Sequence, residues 1–229
     1  GLYAINFQAP VTQFQMCDSV TNRDCVYKNC SSGNRVFSVR HPTYWNLDFE
    51  GGRRPQDWDS QYRPFAGRPP STGEEVQTEH VLVVGGFARN AASGCGGHMA
   101  HGVTITGLVV RDTNVGIHQR GKHLTVLGCD IQVRQSGIIL GRGSSSMHDI
   151  STYCQITDSG HIHVDAATRL VAGVYAGIYA TSGWLSLRCD AYIEAPNAIM
   201  PFGKYQSNVH ITANFKGTNP NPTYGGYCF

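Results

Sequence analysis

Residues 103–117 have the sequence Val-Thr-Ile-Thr-Gly-Leu-Val-Val-Arg-Asp-Thr-Asn-Val-Gly-Ile, and residues 124–138 have the sequence Leu-Thr-Val-Leu-Gly-Cys-Asp-Ile-Gln-Val-Arg-Gln-Ser-Gly-Ile. The second stretch repeats the order of apolar, polar and glycine positions of the first, 21 residues later. The closing dipeptide recurs at intervals of 21, 40 and 21 residues, as Gly116-Ile117, Gly137-Ile138, Gly177-Ile178 and Ala198-Ile199. We interpret the interval of 40 as two turns. Strand-sized segments repeated at a fixed period predict an all-β parallel β-helix, a solenoid with coils of about 21 residues.

We expect a single β-helix domain over residues 1–229. It divides into an irregular N-terminal cap, an aromatic Pro-rich loop, regular coils and an extended C-terminal strap, at 1–37, 38–80, 81–217 and 218–229. A cap is expected because the open end of a solenoid would expose backbone and core. The loop is predicted because prolines interrupt strands and helices, while its many aromatic residues argue against disorder. The chain begins at Gly1 rather than Met, so we expect a processed or truncated chain.

The composition argues against several partners. The net charge is +2, which gives no case for a nucleic-acid-binding face. No run of about 18 apolar residues is present, so we predict no membrane span. Cysteine spacings typical of metal sites are missing, so we expect no metal and no other cofactor.

Seven of the eight cysteines fall into two groups. Cys129, Cys154 and Cys189 precede a corner isoleucine by 9, 8 and 10 residues, which predicts a buried ladder of reduced thiols acting as small apolar side chains. The second group lies near the termini and consists of Cys17, Cys25, Cys30 and Cys228. These four are disulfide candidates, and disulfides would indicate an exported protein or an extracellular particle.

The quoted coils resemble the recurring Val-Thr-Ile-x-Gly … Gly-Ile coil of the pectate-lyase-like right-handed β-helix superfamily, over roughly residues 80–215. The resemblance implies a right-handed solenoid. It also implies a function among those of polysaccharide lyases, polygalacturonase-like hydrolases, epimerases, and tailspikes or other virion proteins of bacteriophages. The Asn-Thr-Asp, Asp-Asp and Gly-His-Gly motifs of the hydrolases and the Arg-x-Pro-x-x-Arg motif of pectate lyases are not present intact. No catalytic residue is therefore carried over from the family.

The residue after each corner isoleucine should point outward, because side chains alternate along a strand. With Ile162 taken as the corner of the third repeat, this outward column consists of His118, Ile139, His163, Tyr179 and Met200. Such an apolar and aromatic column must be covered, by a loop packed on the coil, by a subunit interface or by a bound sugar.

A bound polysaccharide would run along this column at His163 and Tyr179. Its predicted roof comes from the aromatic loop and consists of Trp45, Trp58 and Tyr62. Lyase chemistry needs a cation for the uronate carboxylate and a base, for which Arg120 and His118 are the catalytic candidates.

A pair of carboxylates for acid/base hydrolysis is harder to find. Asp112 and Glu194 share a predicted column, but four coils separate them by about 19 Å, beyond the distance of a glycosidase pair.

Two functions are consistent with these features. The first is an extracellular protein that binds an acidic polysaccharide and, as an enzyme, would depolymerise it by lyase or hydrolase chemistry. The second is a non-catalytic structural or adhesin component of a bacteriophage virion, a homotrimer or a partner of other virion subunits. Missing enzyme motifs favour the second, and the aromatic loop favours the first. We predict a secreted or virion location in either case.

Overall fold

The computed structural model describes residues 1–8, 10–15, 17–37, 39–59, 78–97, 100–119, 122–140, 158–180, 184–201 and 206–217. All regular secondary structure in these residues is β, and they contain no helix long and apolar enough to cross a membrane. The strands are β1 (Tyr3–Ile5), β2 (Pro10–Gln15), β3 (Ser19–Arg23), β4 (Val26–Phe37), β5 (His41–Trp45), β6 (Asp48–Asp59), β7 (Thr78–Glu79), β8 (Leu82–Val84), β9 (Phe87–Ala91), β10 (Ser93–Gly97), β11 (Ala100–His101), β12 (Val103–Thr106), β13 (Val109–Gln119), β14 (Leu124–Leu127), β15 (Asp130–Leu140), β16 (Asp158–Val164), β17 (Arg169–Ala172), β18 (Ala176–Ala180), β19 (Trp184–Cys189), β20 (Tyr192–Glu194), β21 (Asn197–Pro201), β22 (Gln206–Ile211) and β23 (Asn214–Lys216).

Parallel pairing stacks these strands into a solenoid with coils about 22 residues apart, which confirms the predicted β-helix class. An eight-stranded sheet, face 1, has the order β22-β19-β16-β14-β12-β8-β5-β3. A thirteen-stranded sheet supplies two further sides, because β13 pairs with β9 through its first residues and with β10 through its last. We call the side that contains Val109–Arg111 face 2 and the side that contains Val115–Gln119 face 3. A separate small sheet joins β7 and β11.

The corners of the solenoid are columns of residues with left-handed backbone. Between faces 1 and 2, with φ from 49° to 64°, stand Asp24, Asn46, Gly85, Gly107 and Gly128. Between faces 2 and 3, with φ from 51° to 69°, stand Asn29, Gly51, Asn90 and Asp112. Glycine, asparagine and aspartate are the residue types that tolerate this conformation best. The repeated Gly, Asn and Asp positions therefore set where each coil turns.

The predicted isoleucine stack is confirmed. Ile117 pairs with Ile138, Ile138 with Ile178, and Ile178 with Ile199, and all four side chains are buried in the core. The direct pairing of Ile138 with Ile178 shows that the interval of 40 is one lengthened coil, so our interpretation as two turns was wrong. Residues 141–157 of that coil lie outside the described residues.

Regular coils begin earlier in the chain than predicted. Residues 1–37 are not an irregular cap, since β3 pairs in register with β5 and β4 with β6. Residues 39–59, expected to be part of a loop, form β5 and β6 with Pro42 and Pro55 inside the strands. A proline removes only its own N–H donor and its φ suits an extended chain, so neighbouring residues maintain the ladder. Residues 60–77 of the predicted loop and the strap at 218–229 lie outside the described residues.

The cysteines are buried as predicted but do not form one ladder. Cys129 and Cys189 are free buried thiols, and desolvation raises the pKa of each to about 11. Cys189 pairs with Val164 on face 1. Cys129 directly precedes Asp130, which pairs with Arg169 on face 2, so the two thiols lie in different columns. Cys154 and Cys228 lie outside the described residues.

The disulfide prediction is wrong for two of the terminal cysteines. Cys25 and Cys30 are free and buried. Their thiols instead donate hydrogen bonds to the backbone carbonyls of Arg23 and Lys28, each at 3.3 Å.

Candidate functional site

The predicted outward column exists on face 3 but is closed to solvent. His118 pairs with Ile139, Ile139 with Tyr179, and Tyr179 with Met200, as the alternation of side chains predicted. The side chains of His118, Ile139 and Tyr179 are only 6%, 4% and 8% exposed. Ile139 and Tyr179 form a small apolar cluster with Val115, against which Met200 packs. The column is therefore a packed cluster in this structure rather than an open groove.

Two other predicted binding residues lie on a different face. His163 pairs with Thr125 and Arg188 on face 1, because Ile162 pairs with Leu124 and is not a corner residue of face 3. The register was misassigned because the insertion in this coil hides the true corner.

Trp45 also lies on face 1, so it cannot roof the column on face 3. It pairs with Arg23 and Val84, and the Arg23 guanidinium lies 5.6 Å from its ring centroid. The backbone of Trp58 is part of β6 on face 3, but its side chain is not described. Tyr62 and Arg120 lie outside the described residues.

Most of the described ion pairs concentrate on face 2, on a surface that we call the charged strip. It consists of two neighbouring outward columns. The first contains Asp48, Phe87, Val109, Asp130, Arg169, Tyr192 and Asn214. The second contains Glu50, Arg89, Arg111, Gln132, Val171, Glu194 and Lys216. Six strand spacings of about 4.8 Å make the strip roughly 29 Å long.

At the N-terminal part of the strip, a guanidinium joins a carboxylate and an aromatic ring. Arg89 donates a hydrogen bond to Glu50 at 2.9 Å, and its guanidinium carbon lies 5.2 Å from the ring centroid of Phe87. The hydrogen bond from Arg89 lowers the pKa of Glu50 and raises that of Arg89. Both groups are therefore charged at neutral pH.

At the centre of the strip, two guanidinium groups share one carboxylate. Arg111 donates to one oxygen of Asp130, and Arg169 lies 3.3 Å from the other. Arg169 also lies 6.0 Å from the ring centroid of Tyr192 in the next coil. Two guanidinium groups thus face one carboxylate beside an aromatic ring, and Glu194 is a further carboxylate that interacts with Arg169.

At the C-terminal part, Glu194 accepts hydrogen bonds from Lys216 and from the Tyr192 hydroxyl, both at 3.0 Å. The hydrogen bond from Lys216 is the largest cause of a lowered pKa of Glu194, and that from Tyr192 is the next. Glu194 is thus held ionised, whereas a general acid needs a raised pKa.

The arrangement suits binding better than acid/base chemistry. Asp112 lies at a corner between faces 2 and 3. The column of Glu194 runs through Val171 and Gln132 to Arg111, so the prediction that Asp112 and Glu194 share a column was wrong. Among the described residues, no three His, Cys, Asp or Glu side chains are arranged to hold a metal ion. The strip offers guanidinium donors, carboxylate acceptors and ring faces over several coils.

The charged strip was not predicted, because the outward positions were counted only from the corner isoleucines, which lie on face 3. Counting from the glycine corner would have found it, since the outward positions are the second and fourth residues after each corner. After Gly85 these are Phe87 and Arg89, and after Gly128 they are Asp130 and Gln132.

Comparison of the chain with protein-family models, with curated proteins and with solved structures finds no significant match.

Proposed function

We propose that this chain is an extracellular β-solenoid that binds an acidic polysaccharide along the charged strip of face 2. The observation that carries the proposal is the sharing of Asp130 between Arg111 and Arg169. A guanidinium group has five N–H donors, so the half-exposed Arg169 can bind a further carboxylate beside Asp130, such as that of a uronic acid. Guanidinium groups bind carboxylates well, because they can donate two parallel hydrogen bonds.

The surroundings of this position suit a sugar polymer. The rings of Tyr192 and Phe87 lie half-buried on the same column, and their exposed parts can contact the apolar faces of sugar rings. The ionised carboxylates of Glu50 and Glu194 can accept hydrogen bonds from hydroxyl groups. A strip of roughly 29 Å offers contacts to several consecutive sugar units, whereas a small ligand would use a single pocket.

We propose binding without cleavage for this surface. Hydrolysis needs a carboxylic acid that is protonated near neutral pH, and the pKa values of Glu50 and Glu194 are lowered instead. The predicted catalytic role of Arg120 and His118 stays a prediction, and His118 is buried.

Affinity electrophoresis through gels that contain polygalacturonate, alginate or neutral dextran tests the proposal. We expect polygalacturonate or alginate to retard the chain, and dextran not to do so. The double variant Arg169→Ala/Tyr192→Ala should lose the retardation, because it removes the half-exposed guanidinium and the ring beside it.

The matched control is Arg188→Ala, which removes an exposed arginine of face 1 that pairs with Asp190. It should be retarded like the parent chain. Equal retardation of the double variant, or no retardation of the parent by either uronate polymer, would overturn the proposal. Absorbance of the unsaturated product and reducing ends, followed in parallel, would reveal lyase or hydrolase activity.

The second candidate is a non-catalytic, trimeric structural or adhesin component of a bacteriophage virion. Face 1 favours it, since its outward columns carry little charge over several coils and include Thr43, Leu82, Val84, Thr104 and Thr106. Such a surface suits side-by-side packing of subunits. A stable trimer in solution supports this candidate, and no uronate polymer should then retard the chain.

A further inference from the structure

Histidines line the corner of the solenoid between face 3 and face 1. The consecutive face-1 strands β5, β8, β12, β14 and β16 each have a histidine in the strand or within two residues before it. We call this set the histidine edge, and it consists of His41, His80, His101, His123 and His161. The ring centroids of His41 and His80 lie 5.2 Å apart at an interplanar angle of 9°, and those of His123 and His161 lie 5.6 Å apart at 26°. The edge is thus a row of titratable rings on a side of the solenoid that the charged strip does not use.

Two rings of the edge accept hydrogen bonds from the backbone of the next coil. The backbone N–H of Lys122 donates to Nδ1 of His101 at 3.0 Å, and the backbone N–H of His161 donates to Nδ1 of His123 at 3.2 Å. A backbone N–H can only donate, so Nδ1 of each ring carries no proton. Both rings are therefore neutral in this arrangement, with the proton on Nε2.

The next coil is shaped to receive the ring of His123. Gly160 has a left-handed backbone with φ 63°, and a Cβ atom added there would lie 2.9 Å from both Nδ1 and Cε1 of His123. A side chain at this position would displace the ring from the N–H of His161. The hydrogen bond is therefore supported by the backbone conformation and the packing of the coil that donates it.

Protonation of the rings removes the acceptors. Histidine is the side chain whose charge ordinarily changes between about pH 8 and pH 5. Both nitrogens of an imidazolium are donors, so Nδ1–H would face the backbone N–H of the next coil. The charged ring must turn away, which breaks the hydrogen bond. Stacking adds to the effect, because charged rings of His123 and His161 would repel each other.

The charged groups beside the two rings favour this release. Glu79 is the strand partner of His101, so its side chain leaves the strand on the same side and can pair with the protonated ring once that ring has turned. Lys122 directly precedes His123, so a charge on His123 would add to a cation already present. In the part of the chain that the structure describes, the titratable or charged residues next to the two rings are Glu79, His80, Lys122 and His161.

We propose that the histidine edge is a pH-sensitive switch in the solenoid. Neutral His101 and His123 hold the backbone of the next coil at the corner, and their protonation releases it, so the corner loosens as the pH falls from about 7.5 to about 5.5. The carboxylates of Glu50 and Glu194, whose pKa values are lowered, lose their charge only at lower pH. The switch does not depend on polysaccharide binding, which uses face 2.

Nitrogen NMR of the imidazole rings and hydrogen exchange of the backbone amides test the switch on the parent chain. At about pH 7.5 we expect His101 and His123 in the Nε2–H tautomer, with the amides of Lys122 and His161 protected from exchange. At about pH 5.5 the protection factors of these two amides should fall about five-fold or more, the loss expected for one hydrogen bond. Charged rings or Nδ1–H tautomers at the higher pH would refute the proposal, as would unchanged protection at the lower pH.

The double variant His101→Asn/His123→Asn tests whether the imidazoles are responsible. The side-chain carbonyl of asparagine can accept the same N–H but takes up no proton in this range. Asparagine also tolerates the left-handed backbone of His123, whose φ is 61°. We expect this variant to fold like the parent and to keep the same protection of the Lys122 and His161 amides at both pH values.

The matched control is His163→Asn, which alters a half-buried histidine of face 1 outside the histidine edge. This variant should lose protection of the Lys122 and His161 amides on acidification, as the parent does. An acid-induced loss of protection that persists in His101→Asn/His123→Asn would overturn the proposal, and so would a loss that disappears in His163→Asn.

Discussion

Ile138 and Ile178 are 40 residues apart in the chain, yet they are direct partners in the parallel sheet of face 3. Their pairing shows that the stack of coils continues without a gap across the longest interval of the repeat. The columns before and after this lengthened coil keep the same register. The stability of the solenoid should therefore depend on this position as strongly as on any other core position.

Substitutions at Ile138 test this expectation. Ile138→Val should lower the free energy of unfolding by about 1 kcal/mol, because it removes one buried methyl group. Ile138→Asp should prevent folding, since a charge in a dry stack has no partner. Circular dichroism and urea unfolding measure both effects. Gln132→Asp, at an exposed position of the same strand, is the control and should fold normally.

The left-handed backbone of the corners predicts that Gly128 tolerates asparagine better than alanine. Its φ is 57°, and a Cβ atom added there would meet no atom within 4 Å. Gly128→Ala should thus destabilise the protein through backbone strain alone, by about 1 kcal/mol. Gly128→Asn should cost less, because Asn46 occupies the same column with φ 49°. Thermal unfolding of the two variants decides the matter, and equal losses for Ala and Asn would contradict the strain argument.

The buried thiols should resist alkylation in the folded chain. Desolvation raises the pKa of Cys129 and Cys189 to about 11, so neither forms the reactive thiolate near pH 8. Iodoacetamide labelling followed by mass spectrometry should modify both cysteines in urea and neither under native conditions. Rapid native labelling of either cysteine would show that its coil opens.

The same thiols imply a loss of stability at alkaline pH. The pKa of each thiol is higher in the folded chain than its unfolded value of about 8.5. The protonated thiols therefore contribute to the stability of the folded state, and this contribution is fully present below pH 8.5. That contribution disappears as the pH rises through about 11, because the unfolded chain can ionise first. A double variant Cys129→Ala/Cys189→Ala should show a smaller decrease of melting temperature between these pH values.

The carboxylates of the charged strip predict a loss of stability at acid pH. Hydrogen bonds from Arg89 and Lys216 lower the pKa of Glu50 and Glu194. A lowered folded pKa gives stability that is present above the ordinary carboxyl range and is lost as the pH falls through the folded value. Melting temperatures recorded from neutral to acid pH should therefore decrease. Glu194→Gln should make the decrease shallower, and an unchanged slope in this variant would contradict the assignment.

The repeat by itself determined the β-solenoid, the isoleucine stack and the outward direction of His118, Ile139 and Tyr179. These features follow from short-range rules, since side chains alternate along a strand and Gly, Asn and Asp permit the left-handed corners. The prolines led to a wrong prediction at residues 39–59, because a proline is disfavoured in an isolated strand but can be held by neighbours on both sides. In β6, β4 supports Pro55 through the pairs on either side of it, at Arg54 and Gln56, and β10 pairs with β6 from Asp57 onward.

Only the tertiary structure decided which residues of different coils become neighbours. Coil lengths vary, so the sequence alone placed His163 beside Tyr179, although the ladder assigns it to Thr125 on another face. The meeting of Arg111, Asp130 and Arg169 likewise depends on three coils stacking in one register. Ladder pairing is a long-range interaction that fixes register through hydrogen bonds between strands, and a one-dimensional repeat with insertions does not specify it.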